Sequence, residues 1–168
     1  MRCALRRPGE RIAGSRAHTF RAVGARQLTS QNADNAAHAP HTVLVIDDNA
    51  KVRDVIARQL RTAGYETLEA SDGSMAIHLF GEHAGEIVAA TLDLEMPETD
   101  GREVLAMLSE FAPSLPILVV TGSDITTLLE RRPARRGLAY LTKPFENVLL
   151  LDAMQSLIDD WESTEDGG

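Results

Sequence analysis

Thr91-Leu92-Asp93-Leu94-Glu95-Met96-Pro97-Glu98-Thr99-Asp100-Gly101 decides how this chain folds. An apolar run, Ile87-Val88-Ala89-Ala90, leads into it and ends in a carboxylate, Asp93. The Met96-Pro97 pair then stops a strand, because proline offers no donor to a sheet ladder. Asp100-Gly101 supplies turn chemistry just before a helical pattern that begins at Arg102. Asp93 is therefore expected at the carboxyl end of a buried strand, at the mouth of a loop. In open α/β sheets that edge is where ligands and reacting groups gather, which makes Asp93 the candidate reactive residue.

The same pattern recurs on both sides. Upstream, Val43-Leu44-Val45-Ile46 is a continuous apolar run ending in Asp47-Asp48-Asn49, as a buried parallel strand meeting a polar loop would. Asn49 can cap a helix whose apolar face is Val52, Val55, Ile56, Leu60 and Ala63, ended by Gly64. Tyr65–Ala70 alternates like a strand near a sheet edge, Ser71-Asp72-Gly73 turns, and Met75, Ala76, Leu79 and Phe80 mark a second amphipathic helix. Downstream of Asp93, a third helix carries Val104, Leu105, Leu108 and Phe111. Pro116–Val120 is a fourth strand that delivers Thr121, and residues 125–136 are weakly helical with Pro133 inside them. Ala139–Thr142 is a short fifth strand that delivers Lys143-Pro144, and a final helix spans about Glu146 to Trp161. Strands alternating with helices of this length demand right-handed crossovers and a parallel sheet covered on both faces. The expected fold is α/β and flavodoxin-like, a doubly wound (βα)5 three-layer sandwich with five parallel strands.

Composition narrows the class. The 168 residues suffice for one ordinary domain with a real core, and no apolar run approaches the length of a membrane span. Cys3 is the single cysteine, so no disulfide framework forms within one chain, which fits a reducing, cytoplasmic setting. Charge is unevenly placed. Residues 1–41 hold seven Arg against two acidic residues, a balance of +5, and read as a disordered Arg-rich extension. Residues 42–168 hold ten Lys or Arg against 23 Asp or Glu, a balance of −13. An acidic body argues against nucleic acid as a partner and suits a protein that concentrates a divalent cation or docks on basic surfaces. The expected division is an extension at 1–41, one domain at 42–162 and a disordered acidic tail at 163–168.

In a parallel sheet, Asp47, Asp48, Asp93, Thr121 and Lys143 all arrive at one edge. Three carboxylates in a small volume repel and imply a cation, and all-oxygen ligation suits Mg²⁺ or Mn²⁺ rather than zinc. A hydroxyl and an ammonium flanking Asp93 are what a phosphoryl group requires, with Asp93 as nucleophile. The runs Val43–Asn49, Leu92–Gly101, Val119–Ser123 and Tyr140–Phe145 occur in order and together resemble the receiver domain of two-component response regulators, over Val43 to about Trp161. That resemblance implies Asp93 as phosphoacceptor and Asp47 and Asp48 as the acidic pair that holds Mg²⁺ with Asp93. The backbone carbonyl of Glu95 would be a further ligand. Thr121 would move onto the phosphoryl group, Lys143 would pair with it, and Tyr140 would be the aromatic that turns inward. A cis peptide is implied at Lys143-Pro144.

The expected function is a single-domain receiver with no DNA-binding output. It would take phosphoryl from a histidine kinase or histidine phosphotransfer protein, then switch partner binding or pass the group on. It would be no enzyme beyond its own phosphorylation and dephosphorylation. The partner face would be the segment 125–136, the fifth strand and the final helix. Two apolar stripes run along that helix, one of Val148, Leu151 and Ile158 and one of Leu150, Met154, Leu157 and Trp161. One must pack on the sheet, and the other would mark a partner or homodimer interface if exposed. Two features depart from the family pattern: Pro133, and a spacing one residue short in Gly137-Leu138-Ala139-Tyr140. The alternative is a receiver-fold interaction module not controlled by phosphorylation. An aspartyl-phosphate hydrolase, with Glu95 as general acid, lacks a cap insertion. His78, His83 and the Arg131-Arg132 and Arg135-Arg136 pairs read as solvated surface.

Overall fold

The computed structural model describes residues 41–97, 100–122 and 136–165. Residues 1–40 of the expected extension, the segment with Pro133 and its Arg residues up to residue 135, and residues 166–168 of the expected tail lie outside the described residues. Residues 163–165 of that tail continue the last helix instead of being disordered. Five strands form one parallel sheet: β1 (Thr42–Ile46), β2 (Glu66–Ala70), β3 (Ile87–Asp93), β4 (Ile117–Thr121) and β5 (Leu138–Thr142). Their order is β2-β1-β3-β4-β5, so the alternating Tyr65–Ala70 stretch does supply an edge strand and the all-apolar runs supply the interior. Four helices cover the sheet among the described residues: α1 (Ala50–Thr62), α2 (Gly73–His83), α3 (Gly101–Phe111) and α4 (Asn147–Glu165).

The strand alternation divides the core. Leu44, Ile46, Ala90, Leu92, Ile117, Val119 and Tyr140 face α2 and α3. Val43, Val45, Ala89, Leu118, Val120, Ala139 and Leu141 face α1 and α4. This is the three-layer, flavodoxin-like sandwich that the sequence pattern predicts.

Helix faces are narrower than the spacing suggests. On α1 the buried residues are Ile56, Ala57 and Leu60, which leaves Val55 on the flank, exposed, and Ala63 exposed past the helix end. On α2 the fully buried residues are Gly73 and Ala76, Ile77, Leu79 and Phe80 pack partly buried against the core, and Met75 is exposed. Phe111 is 65% exposed, because the chain turns at the end of α3 and sends Ala112 and Leu115 into the core in its place. The final helix buries Leu150, Ala153, Met154, Leu157 and Ile158, with Leu151 partly buried against them. Both stripes are therefore largely core, and Val148 is the one fully described large apolar residue of α4 left exposed. The helix also runs to Glu165, past the expected end at Trp161.

The first three helices each start on a capping side chain. Asn49 accepts from the Lys51 and Val52 amides, Asp72 from Met75 and Asp100 from Arg102. The Met75 amide first, then the Ser71 hydroxyl, hold the Asp72 carboxyl below its ordinary value of 3.8. A lowered folded-state value contributes stability above the ordinary value and loses it as pH falls through the folded one. Asp72→Ala is thus expected to cost about 1 kcal/mol near neutral pH, and the deficit should close in acid. Chemical denaturation at two pH values checks this, and a deficit that persists in acid would contradict it.

Candidate functional site

Parallel pairing carries four strand ends to one edge. Asp93, last in β3, is opposite Val120, and Thr121, last in β4, is opposite Thr142. The ladders run slightly past the strands, with the Asp47 amide donating to the Ala70 carbonyl at 3.2 Å and the Lys143 amide to the Thr121 carbonyl at 2.8 Å. These bonds set where the two polar loops begin.

Lys143 spans the site. Its Nζ is 2.6 Å from Asp93 Oδ2 and 3.1 Å from Asp47 Oδ2. Asp47 and Asp93 are buried, at 1% and 5% exposure, and Asp48 is exposed at the rim. Each buried carboxylate also accepts a local amide: Asn49 N–H onto Asp47 Oδ1 at 2.8 Å, and Glu95 N–H onto Asp93 Oδ1 at 2.9 Å. Burial pushes the Asp47 carboxyl up, against the opposing pull of Lys143 and the Asn49 amide. Burial pulls the Lys143 ammonium down, but the Asp93 and Asp47 carboxylates outweigh it and hold the lysine above its ordinary value.

Asp47, Asp48 and Asp93 each offer a carboxylate oxygen, and the three lie within 4.8 Å of one another. With one ammonium among three carboxylates, the site carries a charge of about −2, and its donors are hard oxygens. The residues fit a divalent cation of the Mg²⁺ class.

Thr121 is fully buried at the end of β4. Tyr140 is 3% exposed in β5, opposite Val119, and packs in the α2/α3 core. Lys143-Pro144 is a cis peptide. His78 and His83 lie on the surface of α2 beside Glu82 and Glu86, as solvated residues would. Arg136 stacks on Trp161, 5.8 Å from the ring centroid.

Two features were not legible from spacing. The Glu95 carboxylate accepts from the Gly122 amide at 3.1 Å and so ties the loop after Asp93 to the residue after Thr121. Gly101 does more than turn the chain. A Cβ there would collide with the Asp93 carbonyl and the Leu94 backbone, so glycine is what lets α3 start against the end of β3. A glycine directly after the capping Asp100 was the available signal.

The comparisons agree with this geometry. Residues 43–155 match the model of the response regulator receiver domain. The chain is 33% identical over 129 residues to the transcriptional regulatory protein PdtaR of Mycobacterium tuberculosis, covering 76% of this chain and 62% of that protein. It is 30% identical over 118 residues to the sensor kinase CckA of Brucella abortus, covering 70% of this chain and 12% of that one. It thus spans less than two thirds of the length of these relatives. A receiver domain structure from Clostridium thermocellum superimposes with a TM-score of 0.66 at 25% identity, over 74% of this chain and 98% of that one. Five parallel strands in the order 2-1-3-4-5, with an acidic cluster and a lysine at their carboxyl edge, therefore place this chain in the response regulator receiver domain family.

Proposed function

We propose that Asp93 accepts a phosphoryl group from the phosphohistidine of a histidine kinase or a histidine phosphotransfer protein. The observation that carries this reading is the buried Asp93 carboxylate, held at 2.6 Å by Lys143 and gathered with Asp47 and Asp48. An Asp93 carboxylate oxygen attacks phosphorus, the P–N bond to the donor imidazole breaks, and the imidazole takes up a proton as it leaves. Mg²⁺, or Mn²⁺, held by Asp47, Asp48, Asp93 and the Glu95 carbonyl, would neutralise charge on the phosphoryl oxygens.

Lys143 orients Asp93 before transfer and pairs with a phosphoryl oxygen afterwards. The Thr121 hydroxyl donates to another, and Tyr140 fills the space beside it, biasing a two-state equilibrium in the β4–β5 region. The face that includes β5 and α4 then changes its affinity for a protein partner, or the group moves on to a second histidine. The chain turns over no external substrate beyond its own phosphorylation and dephosphorylation, and it works in the cytoplasm. No described helix is long and apolar enough to cross a membrane.

The test is intact mass after incubation with Mg²⁺ and acetyl phosphate, beside Asp93→Asn. One phosphoryl group on the wild type alone is expected. No gain, or an equal gain in the variant, would overturn the assignment and leave an interaction module with a receiver fold.

A further inference from the structure

Arg53 stands on the first turn of α1 with its side chain only 17% exposed. Its Nη1 donates to the backbone carbonyl of Asp47 at 2.6 Å. Its Nε lies 3.6 Å from Glu69 of β2, and Glu69 also holds Arg61 at 2.7 Å. The guanidinium fork is thus anchored on an edge strand and aimed at one peptide, the one joining Asp47 to Asp48.

That peptide is a sensitive point. The Asp47 amide and carboxylate are already held by Ala70, Asn49 and Lys143. Asp48 is the exposed member of the acidic cluster. The direction in which its side chain leaves the backbone follows the plane of the Asp47–Asp48 peptide, and Arg53 holds the carbonyl that defines that plane. We propose that Arg53 is a positioning residue that aims the Asp48 carboxylate into the cation site. This rests on the reading of the acidic cluster as a divalent-cation site.

Electrostatics supplies a discriminating sign. As a nearby positive charge alone, Arg53 repels a divalent cation, and its removal would tighten binding. As a positioning group its removal loosens binding, in the way that partners supporting metal ligands commonly change affinity by about 10–100-fold. Arg53→Ala in the full unphosphorylated chain is expected to raise the Mg²⁺ dissociation constant roughly tenfold, measured by calorimetric titration. Arg53→Lys keeps the charge but lacks the fork, and is expected to bind Mg²⁺ more weakly than wild type and more tightly than Arg53→Ala. It also serves if the alanine variant does not fold, which thermal unfolding in EDTA will show. Unchanged or tighter Mg²⁺ binding in both variants would overturn the role of Arg53. A wild type that binds no Mg²⁺ would overturn the cation-site reading itself, and the inference with it.

Discussion

Replacing Lys143 with alanine is expected to destabilise the protein by about 2–3 kcal/mol without divalent cations, and to make it respond more strongly to Mg²⁺ than the wild type does. The ammonium is the shared partner of Asp47 and Asp93, two carboxylates that are nearly inaccessible to water. Removing one member of a fully buried ion pair typically costs about 3–5 kcal/mol, because the other charge is left desolvated. Lys143 keeps 23% of its side chain exposed, so water screens part of that loss and the figure is set lower. The second half of the prediction has the opposite sign. Without its internal cation the site is more negative by one charge, and an added Mg²⁺ meets no ammonium to repel it. Denaturant unfolding of both proteins in EDTA and in Mg²⁺ measures the two effects together. Equal stabilisation of both by Mg²⁺ would show that lysine and cation do not share the carboxylates.

The deficit should also depend on pH from both sides. Lys143 stands above its ordinary value of 10.5, chiefly because the bond to Asp93 and the charge of Asp47 outweigh desolvation. Such a group contributes its full stability below its ordinary value and loses it as pH rises through the folded one. Wild type should therefore fall toward the variant in alkali. In acid the Asp47 carboxyl, held above 3.8 by burial, takes up a proton and no longer needs the lysine, so the difference narrows again.

The sequence patterns that proved most informative were those with a strict physical cause. A run such as Val43–Ile46, short, apolar at every position and bounded by a polar loop, fits a strand covered on both faces, and it is fully buried between β2 and β3. Once five strands, four of them largely apolar and one alternating, are separated by helices, parallel pairing brings Asp47, Asp93, Thr121 and Lys143 to one edge. The site therefore followed from topology without any knowledge of contacts. Helix faces were less legible. Periodicity marks an apolar stripe but not where the stripe is centred, so Val55 and Phe111 fell on the wrong side of the boundary. The stripes of α4 were ambiguous for the same reason, since a helix that is apolar nearly all round is either deep or unpartnered, and only packing decides. The Arg53 and Glu95 bonds join side chains to backbone groups across loops, and no residue spacing encodes such pairs.

Gly101→Ala is expected to combine a stability loss near 3 kcal/mol with a fall of about a hundredfold in phosphoryl acceptance at Asp93. Two effects compete. Alanine is the better helix former, by at most about 1 kcal/mol in a helix interior, and Gly101 is only the first residue of α3. Against this, the new methyl meets the Asp93 carbonyl and the Leu94 backbone, neither of which can swing aside as a side chain would. Overpacking usually costs about 1–3 kcal/mol, and an unyielding neighbour puts this case at the upper end, so the clash wins. Relief requires α3 to withdraw or the end of β3 to shift. Either movement displaces the carboxylate that Lys143 and the Glu95 amide hold, and misplacing a reacting group by about 1 Å can cost roughly a hundredfold in rate. Gly73→Ala is the comparison that separates the two losses. Its methyl would meet Val104 Cγ2 at 2.6 Å and Met107 Cε at 3.2 Å, side chains of α3 rather than the backbone at the end of β3. It should lose stability and keep the wild-type rate of mass gain with acetyl phosphate. If Gly101→Ala also keeps that rate, the close approach of α3 to the end of β3 has no part in placing Asp93.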